Sequence, residues 1–209
     1  MERLKDLYDA HSENAEVVGL YASGLFNLSI SQSPEEQAAT VNRLKVLYDN
    51  HSENTEVTVR YAMGLGNLAY SQPPVERTTP VDLLEALYNK HPGVQEIAQA
   101  YAGSLVGLAL SQTEEADVRC TLERSQTVLD QHSDDSDIQL RHAKTWFNLT
   151  LVQAEPDIPA TVSDIAAFLR SHPDAILEFR EALDEYLREH PDHAARYQPL
   201  LELGGDGHA

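Results

Sequence analysis

Nine histidines in 209 residues invite a metal site, because neutral imidazole is a common zinc ligand. Five of them are periodic: His11, His51, His91, His132 and His172 stand at spacings of 40, 40, 41 and 40. Zinc gathers its ligands at about 2.0–2.1 Å from one centre, whereas groups one packed helix apart stand roughly 10 Å from each other. The spacing therefore predicts a helix C-terminal role for each histidine, with the imidazole bonding the last carbonyls and complementing the dipole. His-Glu-x-x-His does not occur, and neither a metal nor another cofactor is expected. The paired acids Glu35-Glu36, Glu114-Glu115 and Asp134-Asp135 cluster in connecting segments. General acid–base chemistry needs two such groups in one water-poor cleft with separated pKa values, and loop acids are solvated. Gly-x-Ser-x-Gly and a phosphate-cradling glycine loop are also missing. The single cysteine, Cys120, falls on a predicted helix near Leu122 and reads as a small packed hydrophobe. No catalytic residues are expected, and the chain reads as non-enzymatic.

The histidines carry their neighbours with them. Before them stand Leu7-Tyr8-Asp9, Leu47-Tyr48-Asp49 and Leu87-Tyr88-Asn89, then the divergent Val128-Leu129-Asp130 and Phe168-Leu169-Arg170. After them come Tyr21-Ala22, Tyr61-Ala62, Tyr101-Ala102 and His142-Ala143. Asn27-Leu28, Asn67-Leu68, Gly107-Leu108 and Asn148-Leu149 follow, and each unit closes on Ser31-Gln32, Ser71-Gln72, Ser111-Gln112 or Val152-Gln153. Within a unit the apolar period is helical: Val57, Tyr61, Gly64, Leu65 and Leu68 form one stripe, and Ala38, Val41, Leu44, Leu47 and Tyr48 another. Asn14 and Asn54 are expected N-caps with Glu16 and Glu56 in the following turn. Pro34 and Pro74 are expected in the first turn of the second helix.

Each unit is thus two antiparallel helices of roughly 15 to 17 residues joined by short linkers. A single hairpin cannot bury its apolar face, so the units must stack. The expected fold is all-α: a solenoid of stacked helix hairpins forming one domain over 1–203. A leading helix at 1–11 precedes hairpins at about 14–51, 54–91, 94–132 and 135–172. Closing helices follow at 174–203, one to about His190 and a shorter one near His193 to Leu203, with a flexible tail at 204–209. The leading helix, with Leu4, Leu7 and Tyr8, offers an apolar face on a side with no hairpin. It is either an adequate cap or a site of self-association. The periodic tyrosines are expected to pack in the core or between repeats with their hydroxyls reaching solvent.

Thirty-four acidic residues face fifteen basic ones, a net charge of -19. That field repels nucleic acid and anionic membrane surfaces, which need phosphate neutralised by Lys or Arg. Only Lys5, Lys45, Lys90 and Lys144 are lysines. The balance resembles proteins of halophilic archaea, and equally suits attraction of a basic or neutral protein partner. No apolar run approaches the roughly 20 residues of a membrane span, and the N-terminus has no hydrophobic signal core. A cytoplasmic location is the expectation.

Asn14-Ala15-Glu16-Val17 with Tyr21-Ala22 and Gly24-Leu25, then Pro34-Glu35-Glu36-Gln37-Ala38 through Leu44, Leu47 and Tyr48, resembles an elongated tetratricopeptide repeat. The His51-Ser52-Glu53-Asn54 junction is similar to that family's Pro-x-Asn turn, and His91-Pro92 and His172-Pro173 carry the proline. The period of 40 exceeds the family's 34, and Val17, Val57 and Ile97 replace its early bulky aromatic. HEAT-like repeats are the lesser option. The resemblance implies a protein-binding scaffold whose first helices line a concave face. Asn27, Asn67 and Asn148 would then face a bound segment's backbone, unless they fix the stacking instead. Ser23, Met63, Gly103 and Lys144 are the variable groove positions. The family's lysine–asparagine carboxylate clamp is not reproduced.

Overall fold

Asn14 begins the regular structure as its side chain predicts: Oδ1 accepts from the backbone N–H groups of Glu16 and Val17 at 3.0 and 3.2 Å, meeting donors a helix start leaves open. Asn54 does the same for Val57 at 3.3 Å and also donates from Nδ2 to the Ala15 carbonyl at 2.9 Å. One residue therefore caps its own helix and ties it to the preceding repeat.

The computed structural model describes residues 1–203; the expected tail at 204–209 lies outside the described residues. The chain is all-α, with no strand among the described residues. The helices in order are α1 (Glu2–Ala10), α2 (Ala15–Ile30), α3 (Pro34–Asn50), α4 (Thr55–Ser71), α5 (Thr78–Lys90) and α6 (Gln95–Ser111). They continue as α7 (Glu115–Gln131), α8 (Ser136–Leu149), α9 (Ile158–Ser171), α10 (Ile176–Glu189) and α11 (Gln198–Leu201). Successive helices pack on their neighbours, as in a solenoid. The chain divides into two compact units, Met1–Ser104 and Leu105–Ala209, the division falling inside α6.

Two boundaries differ from expectation, and proline explains both. Pro74 opens a short 3-10 turn, Pro74–Glu76, and α5 begins only at Thr78. A helix running from Pro74 would set the Pro80 ring against the carbonyl of Glu76, so the helix restarts with Pro80 in its first turn. The expected helix from His193 to Leu203 is a 3-10 stretch, Pro191–Tyr197, followed by the single turn α11. Pro199 forbids one continuous α-helix in the same way.

In the N-terminal unit, Val18, Ala22, Leu25, Leu44, Val57, Ala62, Leu65 and Leu84 form the buried stripe. α2 packs directly on α4 as well as on α3. A Cβ at Gly24 would lie 2.8 Å from Leu4 Cδ1, and one at Gly64 3.1 Å from Leu44 Cδ1, so these small residues let first and second helices close together. α1 and α3 are joined instead through side chains. The Tyr8 hydroxyl on α1 lies 3.1 Å from Nε2 of His51, the residue capping α3, and Tyr48 lies 3.4 Å from Nε2 of His91. α1 contributes no buried residue: Leu7 is 40% exposed where its counterpart Leu47 is 3% exposed.

The C-terminal unit is built around Leu140, Ile158, Val162, Ile165, Leu169, Phe179, Leu183 and Tyr197. The Tyr197 hydroxyl is bonded to Thr150 Oγ1 at 2.9 Å, which satisfies it in the core. The closing Ser-Gln motif acquires a structural role. Thr40 donates to Gln32 Oε1 at 2.7 Å and Thr121 to Gln112 Oε1 at 2.9 Å, clasping the two helices of a hairpin. Gln153 Oε1 is buried without a hydrogen-bond partner among the described residues. The α8–α9 connection, 150–157, is longer than those at 31–33 and 112–114 and breaks the clasp register.

Candidate protein-binding surface

The periodic histidines occupy helix ends, but by a different device from the one expected. His11, His51, His91, His132 and His172 are C-caps with φ between -139° and -130°, and each backbone carbonyl closes the turn into the next helix. His172 turns its imidazole to the last turn, Nδ1–H donating to Phe168 O at 2.8 Å. The rings of His51 and His91 go to the tyrosine hydroxyls of the preceding repeat, because those acceptor–donor pairs lie within reach between the second helices. Among the described residues no group of three His, Cys, Asp or Glu side chains is placed to hold a metal ion.

The hydroxyls of Tyr8, Tyr21, Tyr48 and Tyr101 are engaged by neighbouring side chains rather than left to solvent. Tyr8 stacks on Tyr21 with ring centroids 4.9 Å apart, Tyr48 on Tyr61 at 5.5 Å, and Tyr88 packs on Tyr101 at 5.4 Å in tilted geometry. Arg43 donates to Tyr21 Oη at 2.8 Å, and Tyr101 donates to Glu85 at 2.8 Å. Burial, followed by Asp49 and Tyr48, pushes the Tyr61 phenol up to about 12. These rings are structural. Cys120 is exposed rather than packed: it lies on the outer side of α7, between the buried Val118 and Thr121 on one face and the half-buried Leu122.

The C-terminal unit holds a strongly perturbed imidazole. His142, in the place of Tyr21, Tyr61 and Tyr101, is buried with Nδ1 3.1 Å from Ser125 Oγ. Burial lowers it to about 4, because a charged ring would lose its water. Ser125 stands where the earlier repeats carry Leu44 and Leu84, so the leucine and tyrosine of this register are replaced together by a serine and a histidine in polar contact. Trp146 and Phe168 close over the ring at 5.7 and 5.3 Å.

The asparagines at one register have different fates. Asn148 is buried and donates from Nδ2 to Val106 O at 3.2 Å. Asn27 is exposed and Asn67 half-buried, and neither side-chain amide forms a hydrogen bond within the described residues. Beside them, one helical turn on, Ile30 is 60% exposed and Tyr70 52% exposed. The Tyr70 hydroxyl donates to Gly103 O at 2.7 Å, laying the ring from α4 toward α6.

Ser23 and Met63 are brought together through a residue that the repeat pattern does not mark. Ser23 Oγ donates to Glu56 Oε1 at 2.7 Å, and Arg60 Nε donates to the same carboxylate oxygen at 2.7 Å and to Ser23 Oγ at 3.1 Å. The guanidinium also contacts Met63 Sδ at 3.6 Å and stands 5.6 Å above the Phe26 ring. The Ser23 hydrogen bond, with Arg60, holds the Glu56 carboxyl below its usual range. Lys144 is set apart from these, in the C-terminal unit, in an open cleft of about 790 Å³ with Glu178, Glu181, Asp184, Glu185 and Arg188.

Apart from Arg60, the repeat pattern hides an exposed apolar position. Ile30, Tyr70, Leu110 and Leu151 recur one residue before the closing pair, all exposed. Their signal is an apolar residue three positions past the asparagine register (Asn27, Asn67, Gly107 and Asn148), on the polar side of the helical stripe. No helix among the described residues is long and apolar enough to cross a membrane. The chain matches no family model, no curated protein and no solved structure.

Proposed function

We propose that this protein is a non-enzymatic interaction scaffold of elongated tetratricopeptide-like repeats that binds an extended partner segment along its first helices. The observation that carries this reading is the pair Asn27 and Asn67. Two amides at one register on adjacent helices, with no hydrogen-bond partner among the described residues, can donate to and accept from a peptide backbone. Ile30 and Tyr70 beside them supply apolar contact, and exposed aromatic and aliphatic groups flanked by polar ones mark interaction surfaces. α2 packs directly on α4 while α1 meets α3 through side chains, so the first helices of the N-terminal unit lie side by side as one continuous face. The charge of -19 favours a basic or neutral segment. His142 supports the non-enzymatic reading, since its imidazole is neutral and sealed by Ser125, Trp146 and Phe168.

A random-peptide display library panned on the full chain tests the proposal. Enriched peptides should lose binding when Asn27→Ala and Asn67→Ala are combined, with helicity unchanged. Peptides that bind the double variant equally well would remove the first-helix face from the reading. The exposed Leu7 on α1 favours a second reading, self-association through α1. Light scattering that shows a monomer at every concentration would sink it.

A further inference from the structure

We propose that the cleft between α7 and α9 docks a tyrosine side chain from a partner protein segment, seated where the repeat elsewhere seats its own tyrosine. This site is separate from the first-helix face and does not depend on it.

Three residues before the periodic histidines stand Tyr8, Tyr48 and Tyr88, and then Leu129. Tyr8 and Tyr48 each reach across to the histidine capping the next second helix. Their hydroxyls lie 3.1 and 3.4 Å from Nε2 of His51 and His91, and the imidazoles stand edge-on at 5.9 and 6.4 Å. In the C-terminal unit the corresponding residues are Leu129 on α7 and His172 at the end of α9. Leucine supplies neither the ring nor the hydroxyl. At that place the structure has an open cleft of about 640 Å³, lined by Leu129, Trp146, Phe168 and His172 together with Asp130 and Asp164.

Its chemistry matches the missing group. His172 Nδ1 holds its proton on Phe168 O at 2.8 Å, which leaves Nε2 as the lone-pair nitrogen of the neutral ring. Nε2 has no hydrogen bond among the described residues, and a phenol would donate to it. Trp146 and Phe168, edge to face at 6.2 Å, present aromatic walls to a third ring. Asp130 and Asp164 favour a tyrosine flanked by lysine or arginine.

Trp146 is the only tryptophan in the chain and lines the cleft, so its emission reports occupancy directly. The full chain is titrated with acetyl-Lys-Tyr-Lys-amide and with acetyl-Lys-Phe-Lys-amide. The tyrosine peptide should give a saturable change, and the phenylalanine peptide should bind roughly fivefold more weakly, the worth of one neutral hydrogen bond. Leu129→Tyr, which restores the residue found in the other repeats, should abolish binding by filling the cleft from within. The absence of a saturable change at millimolar peptide, equal binding of both peptides, or undiminished binding by Leu129→Tyr each overturns the proposal. Should Leu129→Tyr not fold by circular dichroism, His172→Phe decides: it must erase the tyrosine preference, and a preference that persists rejects the assignment.

Discussion

His142 shows how one buried side chain sets a pH dependence. Its folded pKa lies near 4 because of burial, against 6.5 unperturbed. The folded state therefore binds the proton less well than the unfolded chain. The stability is full above 6.5 and declines as the pH falls from there toward 4, by on the order of 3 kcal/mol in total. Restoring the earlier pairing with Ser125→Leu and His142→Tyr should remove this acid limb from urea denaturation curves; an unchanged limb would place the titration elsewhere. The asparagines make a second contrast at this scale. Asn148→Ala loses a buried hydrogen bond to Val106 O and should cost about 1 kcal/mol, whereas Asn27→Ala and Asn67→Ala should leave the melting temperature unchanged. Equal losses at all three would mean that Asn27 and Asn67 are structural. The register of these residues was legible in the sequence, but their fates were not. Burial at 148 depends on how α8 leans on the Val106 carbonyl, which no local pattern encodes.

At the scale of the element, the cap at Asn54 does more than the cap at Asn14. Both start a helix, but Asn54 also bonds Ala15 O in the preceding repeat. Asn54→Ala should therefore destabilise more than Asn14→Ala, which should lose only the capping contribution of about 1 kcal/mol; equilibrium denaturation of the two variants measures the difference. Helix identity and most boundaries were legible because the asparagine caps, the apolar stripes and the histidine ends agree with one another. The restart at Thr78 and the 3-10 stretch before α11 needed a further step: Pro80 and Pro199 act on a carbonyl four residues back, so they break a helix ahead of where they stand. The tyrosine–histidine rungs were visible only as two separate periodicities, since their partners lie 43 residues apart.

For the whole molecule, the acidic charge dominates the response to salt. The helix-surface ion pairs, Lys45–Asp49, Arg60–Glu56, Arg119–Glu115 and Arg141–Asp137, contribute roughly 0.2–0.5 kcal/mol each. Screening them costs little beside the relief of self-repulsion in a chain of charge -19. Shortening the Debye length from about 30 Å to about 8 Å should raise the melting temperature, and a fall in scanning calorimetry would mean that the ion pairs prevail. The exposed Cys120 has its own consequence for such measurements. A chain with a single thiol has no internal partner for it, so a disulfide between protein thiols can only join one molecule to another. In air-exposed protein, covalent pairs linked through α7 should accumulate on non-reducing gels and vanish with dithiothreitol or in Cys120→Ser, whatever α1 does.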